Sequence, residues 1–332
     1  MAQFKVGING FGRIGRIFFR EGFEKLDIVG INSLDSVEAI AHMLKYDSTH
    51  GIYQANVSHD EKNLIVNGKK IPISQSKDPA QIPWKAMGVD LVMECTGVMK
   101  GKEDYQKHLA AGAKKVMISA PAEGVDLTVV FGINHEQYDS SKHNFISNAS
   151  CTTNCLAPLA KVMNDSFGIV NGTMLTIHSY TNDQRILDSS HKDFRRSRSA
   201  AVSMIPTTTG AAKSVALVLP ELKGKLDGLS VRVPTPNVSL VDFTFNSQKE
   251  MSIDTINNAL RTAAAGPLKG ILAVEEHELV SIDFNGNKFS SIIDAKTTMV
   301  VGKNTAKILS WYDNETGFSN RMVDMALYMA KK

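Results

Sequence analysis

The sequence predicts an α/β protein of two domains: a doubly wound, mostly parallel sheet first, then an α+β domain built on a mainly antiparallel sheet. Three observations predict it. Strand-like and helix-like periods alternate through the first 150 residues, the pattern of βαβ units. Beyond Asp227 the reading becomes strand-rich. The chain is 332 residues long, and single hydrophobic cores stop growing at about 250–300 residues.

In the first half, Phe4 to Asn9 reads as a buried strand, Gly10-Phe11-Gly12-Arg13-Ile14-Gly15 follows, and Ile17 to Phe23 has a helical apolar period. With a second strand, Ile28 to Asn32, at the right distance, this is the dinucleotide fingerprint of a Rossmann domain in its required context. Gly10 and Gly12 let the backbone approach a pyrophosphate, which the helix start then stabilises. The fingerprint also requires an acidic residue near the end of the second strand to bond the adenosine ribose. Here Ser33 follows Asn32, with Asp35 two residues on. A carboxylate at that place would repel the 2′-phosphate of NADP; Ser33 removes that bar, and Asp35 leaves the ribose contact open. The alternation continues through a helix Val37 to Tyr46, strands within Ala55 to Ile73, a strand Val89 to Cys95, a helix Lys102 to Ala111, and strands Lys115 to Ser119 and Leu127 to Ile133. Thr96-Gly97 and Ser119-Ala120-Pro121 fall at carboxyl ends of strands, where such sheets bind ligands.

A strand-like run, Asn144 to Asn148, ends at Ser150-Cys151-Thr152-Thr153-Asn154-Cys155, where a helical pattern begins and runs to about Gly168. Cys151 is therefore expected at a helix start, where unpaired N–H groups and the macrodipole lower a thiol's pKa. Cys155, among Leu156, Ala157 and Leu159, reads as buried and inert. Pro158 is expected to kink the helix. The strand Thr173 to Ser179 bears His178, a candidate base for the thiol. Tyr180 to Ile205 is long, polar and rich in arginine, a connection of the kind that tends to be functional. Thr207-Thr208-Thr209-Gly210 is expected to open the next helix, and Arg232 sits in Val231-Arg232-Val233-Pro234. Hydroxyls, helix-start N–H groups and guanidinium groups suit a phosphate monoester.

The remaining predicted strands are Ser230 to Val233, Val238 to Asn246, Leu272 to Val274, Ser290 to Asp294, Thr297 to Val301 and Thr305 to Tyr312, with a helix Ile253 to Ala265. A closing amphipathic helix, Gly317 to Lys331, turns Met322, Val323, Met325, Ala326 and Met329 to a core. The domain boundary is expected close to Cys151, giving residues 1–150 for dinucleotide binding and 151–316 for catalysis.

Composition narrows the class. At 43% hydrophobic and 21% charged, with a net charge of +3, the chain carries no signal for nucleic acid or an anionic membrane surface. No apolar run approaches the roughly 20 residues that cross a bilayer, and the amino terminus lacks a signal-peptide pattern, so a cytoplasmic protein is expected. Three cysteines form neither a disulfide framework nor, without a second Cys or His pair, a zinc site; no metal is expected.

Gly7-Ile8-Asn9-Gly10-Phe11-Gly12-Arg13-Ile14-Gly15-Arg16, Ser147-Asn148-Ala149-Ser150-Cys151-Thr152-Thr153-Asn154-Cys155 and Trp311-Tyr312-Asp313-Asn314-Glu315 together closely resemble the phosphorylating glyceraldehyde-3-phosphate dehydrogenases, over essentially the full length. The resemblance implies oxidation of glyceraldehyde 3-phosphate with NAD or NADP and inorganic phosphate to 1,3-bisphosphoglycerate, in glycolysis or gluconeogenesis. Cys151 then matches the nucleophile and His178 its base. Ser150, Thr152, Thr181, Arg196, Thr209, Gly210 and Arg232 match positions binding the substrate phosphate and the attacking phosphate. Arg13, Ile14, Lys77, Ser119 and Asn314 match cofactor contacts, Asn314 at the nicotinamide carboxamide. A homotetramer is implied, with the Tyr180 to Ile205 loop near a neighbour's cofactor and the final helix returning to the first domain.

Three departures from the NAD-using pattern stand out: Ser33 for an aspartate, Ser189-Ser190 for Leu-Pro, and Phe318 for a tyrosine. The first two resemble changes in family members that use NADP, so NADP is expected to be accepted, beside NAD or ahead of it. Phe318 is expected only to lose a hydroxyl contact. The rival readings are an erythrose-4-phosphate dehydrogenase, which lacks the match to Thr181 and to Thr208-Thr209-Gly210, and a non-catalytic nucleotide- or RNA-binding relative, which would show losses at Cys151, His178 or Arg232.

Overall fold

The computed structural model describes residues 4–99 and 101–332, and the chain divides into two compact units. The first holds the residues up to Val129, His135–Ala149 and Ser319–Lys332; the second holds Val130–Asn134 and Ser150–Phe318.

In the first unit β1 (Lys5–Asn9), α1 (Arg13–Gly22), β2 (Asp27–Asn32) and α2 (Val37–Lys45) follow one another. Val6, Ile8, Ile28 and Ile31 are wholly buried, as strands covered on both faces require. β3 (Val57–His59), β4 (Asn63–Val66) and β5 (Lys69–Ser74) make an antiparallel meander. Asn67 and Gly68, both at positive φ, supply its second turn. Then come α3 (Trp84–Met87), β6 (Leu91–Glu94), α4 (Lys102–Ala110), β7 (Lys115–Ile118), β8 (Leu127–Thr128) and β9 (Phe145–Ser147).

The nine strands lie in the order β3-β4-β5-β2-β1-β6-β7-β9-β8, and every pair from β5 onward is parallel. Strand order reverses at β1. The carboxyl ends of β1, β2 and β6 therefore open the crevice in which such sheets bind ligands. One predicted strand is much shorter than expected: Leu127 to Ile133 gives only the two residues of β8. The chain turns at Val130, whose N–H donates to the Asn134 side chain at 2.9 Å, and Gly132 takes a φ of 86° that ends the extended run.

The second unit begins with α5 (Cys151–Phe167) and β10 (Ile169–Ser179). β11 (Ile205–Thr208), α6 (Ala211–Val218), β12 (Leu226–Val233), β13 (Ser239–Ser247) and α7 (Ile253–Ala265) follow. β14 (Leu272–Glu275), β15 (Ser291–Asp294), β16 (Met299–Val301) and β17 (Thr305–Tyr312) complete its strands, and α8 (Thr316–Met329) starts in this unit and from Ser319 belongs to the first. The strands run β11-β12-β10-β13-β17-β15-β14, with β16 on β17. Only β10–β12 and β14–β15 are parallel, so the sheet is mainly antiparallel.

α7 keeps its predicted bounds, fixed by a capping box between Ser252 and Thr255. α5 runs unbroken through Pro158, with Cys155, Leu156, Ala157, Leu159, Ala160 and Met163 fully buried. That packing holds the helix where proline removes one N–H donor. The run Thr207 to Gly210 differs from expectation. Thr207 and Thr208 pair with Ser230 and Leu229 of β12, and α6 starts only after Gly210, because β-branched threonines fit a pleated sheet better than a helix. In α8, Met322, Val323, Met325, Ala326 and Met329 are buried, the core stripe that the sequence predicts.

Candidate active site

The Ser150 hydroxyl caps α5, accepting from the Thr153 N–H at 3.0 Å, which makes Cys151 the first helical residue. Ala149, just before it, has a φ of 55°, a left-handed conformation that a non-glycine residue seldom takes. β10 and β12 run side by side, and their register sets His178 opposite Arg232. Cys151 Sγ lies 3.5 Å from His178 Nε2.

The other imidazole nitrogen fixes the tautomer. Nδ1 is 2.7 Å from the Ser179 carbonyl oxygen and 3.0 Å from Arg232 Nη1, so an acceptor and a donor converge on it. The carbonyl, at the shorter distance, can accept from both groups, so we assign the proton to Nδ1. Arg232 Nη1 is satisfied by the same carbonyl at 3.1 Å. Nε2 then turns a lone pair to the Cys151 thiol.

Burial pushes the Cys151 thiol above its ordinary value; Arg232, the Thr152 hydroxyl and the backbone N–H groups of the helix start pull it back without reversing the direction. A helix start by itself is expected to lower the thiol; here enclosure of the sulfur outweighs it. Burial, with Arg232 alongside, lowers His178 to about 3. An acid and an unprotonated base thus stand at contact distance. Arg232 is itself lowered by burial, and its Nε is buried without a hydrogen-bond partner.

Behind the pair, the buried Tyr312 hydroxyl sits 2.9 Å from both Thr152 Oγ1 and Thr176 Oγ1. Its ring meets the His178 imidazole edge-on, with centroids 6.0 Å apart, and so sets the imidazole plane. Ser179 and Ser239 hydroxyls both donate to Asn314 Oδ1 at 2.9 Å, which fixes that amide's orientation. Val238, buried and β-branched, holds a φ of 67°, a conformation that costs about 1–3 kcal/mol. Its neighbours hold it there: Asn237 Nδ2 donates to Asp313 at 2.8 Å, and Ser239 ties Asn314 to the end of β10.

In the first unit, Asn9, Gly10, Asn32, Ser33, Lys77 and Thr96 line the crevice. Gly10 has a φ of 89°, and a Cβ there would come within 2.7 Å of the Thr96 nitrogen. A Cβ on Gly15 would come within 2.2 Å of the Gly10 oxygen. Gly12 precedes α1 without a side-chain cap, and nothing lies within 4 Å of where its Cβ would stand. That is the uncovered helix start a pyrophosphate needs. At the end of β2 the Ser33 hydroxyl donates to the Asp35 carboxylate at 3.3 Å, so a negative charge does stand beside Ser33.

The comparisons with known proteins agree with this arrangement. Residues 4–102 match the model of the glyceraldehyde 3-phosphate dehydrogenase NAD binding domain, and residues 150–314 match that of the glyceraldehyde 3-phosphate dehydrogenase C-terminal domain. The chain is 58% identical over 330 residues to glyceraldehyde-3-phosphate dehydrogenase 1 of Bacillus cereus, covering 99% of both chains. It is likewise 58% identical over 330 residues to the Geobacillus stearothermophilus enzyme, covering 99% of this chain and 98% of the relative. The chain belongs to the glyceraldehyde 3-phosphate dehydrogenase family.

Set within this family, the predicted site residues divide by position. Cys151, His178 and Arg232 come together, and Arg196 is close enough for its charge to act on His178 and Arg232 while it bonds Thr207 at 2.9 Å, Asp183 at 2.6 Å and the Thr208 carbonyl at 3.2 Å. The Thr152 hydroxyl is turned inward to Tyr312. The Thr209 hydroxyl accepts from the Ala211 N–H at 3.2 Å, next to Gly210 at the start of α6, and the Thr181 N–H is bonded to Gln184. Of the cofactor residues, Gly10, Ser33 and Lys77 line the crevice. Arg13 pairs with Asp47 at 2.5 Å, and Ile14 stands beside it in the first turn of α1. Ser119 takes its place through its N–H, bonded to the Glu94 carbonyl at 3.0 Å. Ser189 and Ser190 are exposed in the Tyr180 to Ile205 loop, and Phe318 is buried. Tyr312, Thr176, Ser179 and Ser239, which hold Thr152 and Asn314 in place, are not singled out by the sequence. Only the Trp311 to Glu315 motif pointed at any of them.

Proposed function

We propose that the chain is a phosphorylating glyceraldehyde-3-phosphate dehydrogenase, converting D-glyceraldehyde 3-phosphate, NAD and inorganic phosphate to 1,3-bisphosphoglycerate. The observation that carries the reading is the Cys151 sulfur 3.5 Å from the lone pair of a buried, unprotonated His178. The Cys151 sulfur bonds to the aldehyde carbon while its proton passes to the carbonyl oxygen, directly or through Nε2. His178 then takes the hydroxyl proton as the carbon–hydrogen bond breaks. NAD, when bound, supplies a hydride acceptor at the nicotinamide ring. The acyl group is left on sulfur as a thioester, phosphate oxygen attacks it, and the thiolate departs and regains a proton.

Arg232 and Arg196, with Ser150, Thr152, Thr181, Thr209 and Gly210, are proposed for the two anion sites that this sequence of steps needs. Thr152 contributes through its place at the helix start, since its hydroxyl is taken by Tyr312. We assign dinucleotide binding to residues 1–150 and catalysis to 151–316, with Gly10, Gly12, Arg13, Ile14, Ser33, Lys77, Ser119 and Asn314 serving the cofactor. NADP is proposed as a second acceptor rather than the preferred one, because Asp35 restores charge beside Ser33; Ser189 and Ser190 would act on that choice from a neighbouring subunit. A homotetramer is supported by the exposure of Ile186, Leu187, Phe194, Val202 and Met204, all in the Tyr180 to Ile205 loop. A cytoplasmic location is proposed; among the described residues no helix is long and apolar enough to cross a membrane.

The test is steady-state NADH formation with glyceraldehyde 3-phosphate or erythrose 4-phosphate, each with and without phosphate, and with NAD or NADP. Turnover that needs phosphate and favours the three-carbon aldehyde supports the reading. Equal turnover without phosphate, or preference for the four-carbon aldehyde, overturns it.

A further inference from the structure

One buried group of titratable side chains plays no part in the chemistry above. Glu94, at the carboxyl end of β6, and His108, on α4, have side chains 1% and 0% exposed. Trp84, on α3, is equally buried. Its indole N–H, which can only donate, lies 3.0 Å from His108 Nδ1. Nδ1 must therefore accept, so Nε2 carries the proton and donates to Glu94 Oε2 at 3.2 Å. Asn9 Nδ2 donates to the same oxygen at 2.6 Å. On the other side, Glu94 Oε1 accepts from the Thr96 N–H at 2.8 Å and from the Thr96 hydroxyl. Four donors thus converge on one carboxylate.

The chain continues outward with its direction fixed at every link. Asn32 Nδ2 donates to Asn9 Oδ1 at 2.8 Å and to the Ser76 carbonyl at 2.9 Å. Asn32 Oδ1 accepts from the Ser74 hydroxyl at 2.8 Å and the Ser76 N–H at 2.9 Å. Asn9, Asn32, Ser76 and Thr96 line the crevice, and the fingerprint's Gly10 backs directly onto Thr96. The Glu94 carboxylate therefore orients the Asn9 amide, the Ser76 backbone orients that of Asn32, and the bond between the two amides joins the ends of β6, β1 and β2 in one network.

We propose that Glu94 and His108 are positioning residues for dinucleotide binding: the Trp84–His108–Glu94 chain holds the crevice wall in its binding geometry from inside the core. This rests on the reading that the crevice takes the dinucleotide. The polarity of the network makes the inference sharp. In Glu94→Gln one oxygen becomes an NH2 group that faces either Asn9 and His108 or Thr96. Asn9 cannot turn without taking its oxygen from Asn32, Asn32 is locked by both backbone groups of Ser76, and the Thr96 N–H cannot reverse. A buried donor then meets a donor at the crevice wall, and the wall must shift.

The experiment measures NAD dissociation constants, the KM for NAD, kcat at saturating NAD and thermal midpoints for the full chain and for Glu94→Gln, His108→Leu and His108→Gln. Leu64→Ala, a fully buried β4 core residue, serves as a destabilised control. Glu94→Gln and His108→Leu are expected to raise Kd and KM by about tenfold or more, with kcat changed far less. His108→Gln, whose amide accepts from Trp84 and donates to Glu94, is expected to recover most of the affinity, and Leu64→Ala to lose stability but not affinity. If Glu94→Gln and His108→Leu bind NAD within about twofold of the unaltered chain, or weaken binding no more than an equally destabilised Leu64→Ala, the network is only structural and the proposal falls. Failure of the unaltered chain to bind NAD would instead refute the reading of the crevice.

Discussion

Replacing His178 by Asn tests the protonation state on which the chemistry turns. Burial and Arg232 hold the folded imidazole at about 3, against an ordinary value of 6.5. Below the ordinary value the unfolded chain binds a proton that the folded chain refuses. Stability from this group is therefore complete above about pH 7, falls as pH drops through 6.5, and stops falling only near the folded value. Between about pH 7.5 and about pH 5 the loss is RT ln(1 + 10^1.5), about 2 kcal/mol. The figure depends on the ordinary value alone, since a group at about 3 stays unprotonated at pH 5. His178→Asn removes this component, so urea unfolding at fixed protein concentration should show the wild-type chain losing about 2 kcal/mol more than the variant across that interval. In the same variant kcat should fall by about 10²–10⁴, the usual contribution of a general base. Were the imidazole held as a cation beside a protonated thiol, the folded pair would carry one proton more and the stability difference would change sign, with the wild-type chain gaining relative to the variant as pH falls. That outcome would refute the argument from burial.

Cys151→Ser should lower turnover by at least about 10³-fold, since an alcohol beside the same base is a far weaker nucleophile; near-normal NADH formation in stopped-flow assays would exclude the thioester route. Arg232→Leu should raise the KM for glyceraldehyde 3-phosphate or for phosphate by about 10–100-fold through loss of a charge-assisted donor, and phosphate titrations would show which anion it serves. Tyr312→Phe strips a partner from Thr152 and Thr176 and should cost about 1–3 kcal/mol in chemical unfolding; an unchanged midpoint would mean that the two hydroxyls re-pair with each other. Asp35→Asn should raise kcat/KM for NADP by roughly tenfold while leaving NAD within about twofold, as expected for removing one carboxylate near a 2′-phosphate; equal responses with both cofactors would remove Asp35 from the choice.

What the sequence made legible was whatever local chemistry decides. The glycine turn of α1 and the position of Cys151 at a helix start both follow from residues within a few positions of one another. The direction of the thiol's shift did not, because a helix start is visible in sequence whereas enclosure of the sulfur depends on elements far along the chain. Tyr312 shows the same limit: its two hydrogen-bond partners lie 160 and 136 residues away, and a tyrosine at the end of a strand is unremarkable by itself. Ala149 and Val238 mark the limit from the other side. Nothing in an alanine or a valine announces a positive φ, yet both adopt one, Ala149 at the entry to the nucleophile's helix and Val238 between Asn237, which bonds Asp313, and Ser239, which bonds Asn314. A local preference set aside at both places implies that the surrounding hydrogen bonds over-determine them. Val238→Gly, which relieves the strain without touching a catalytic group, should therefore leave the fold intact; any loss of turnover would then measure how much of the site's geometry that strained corner holds.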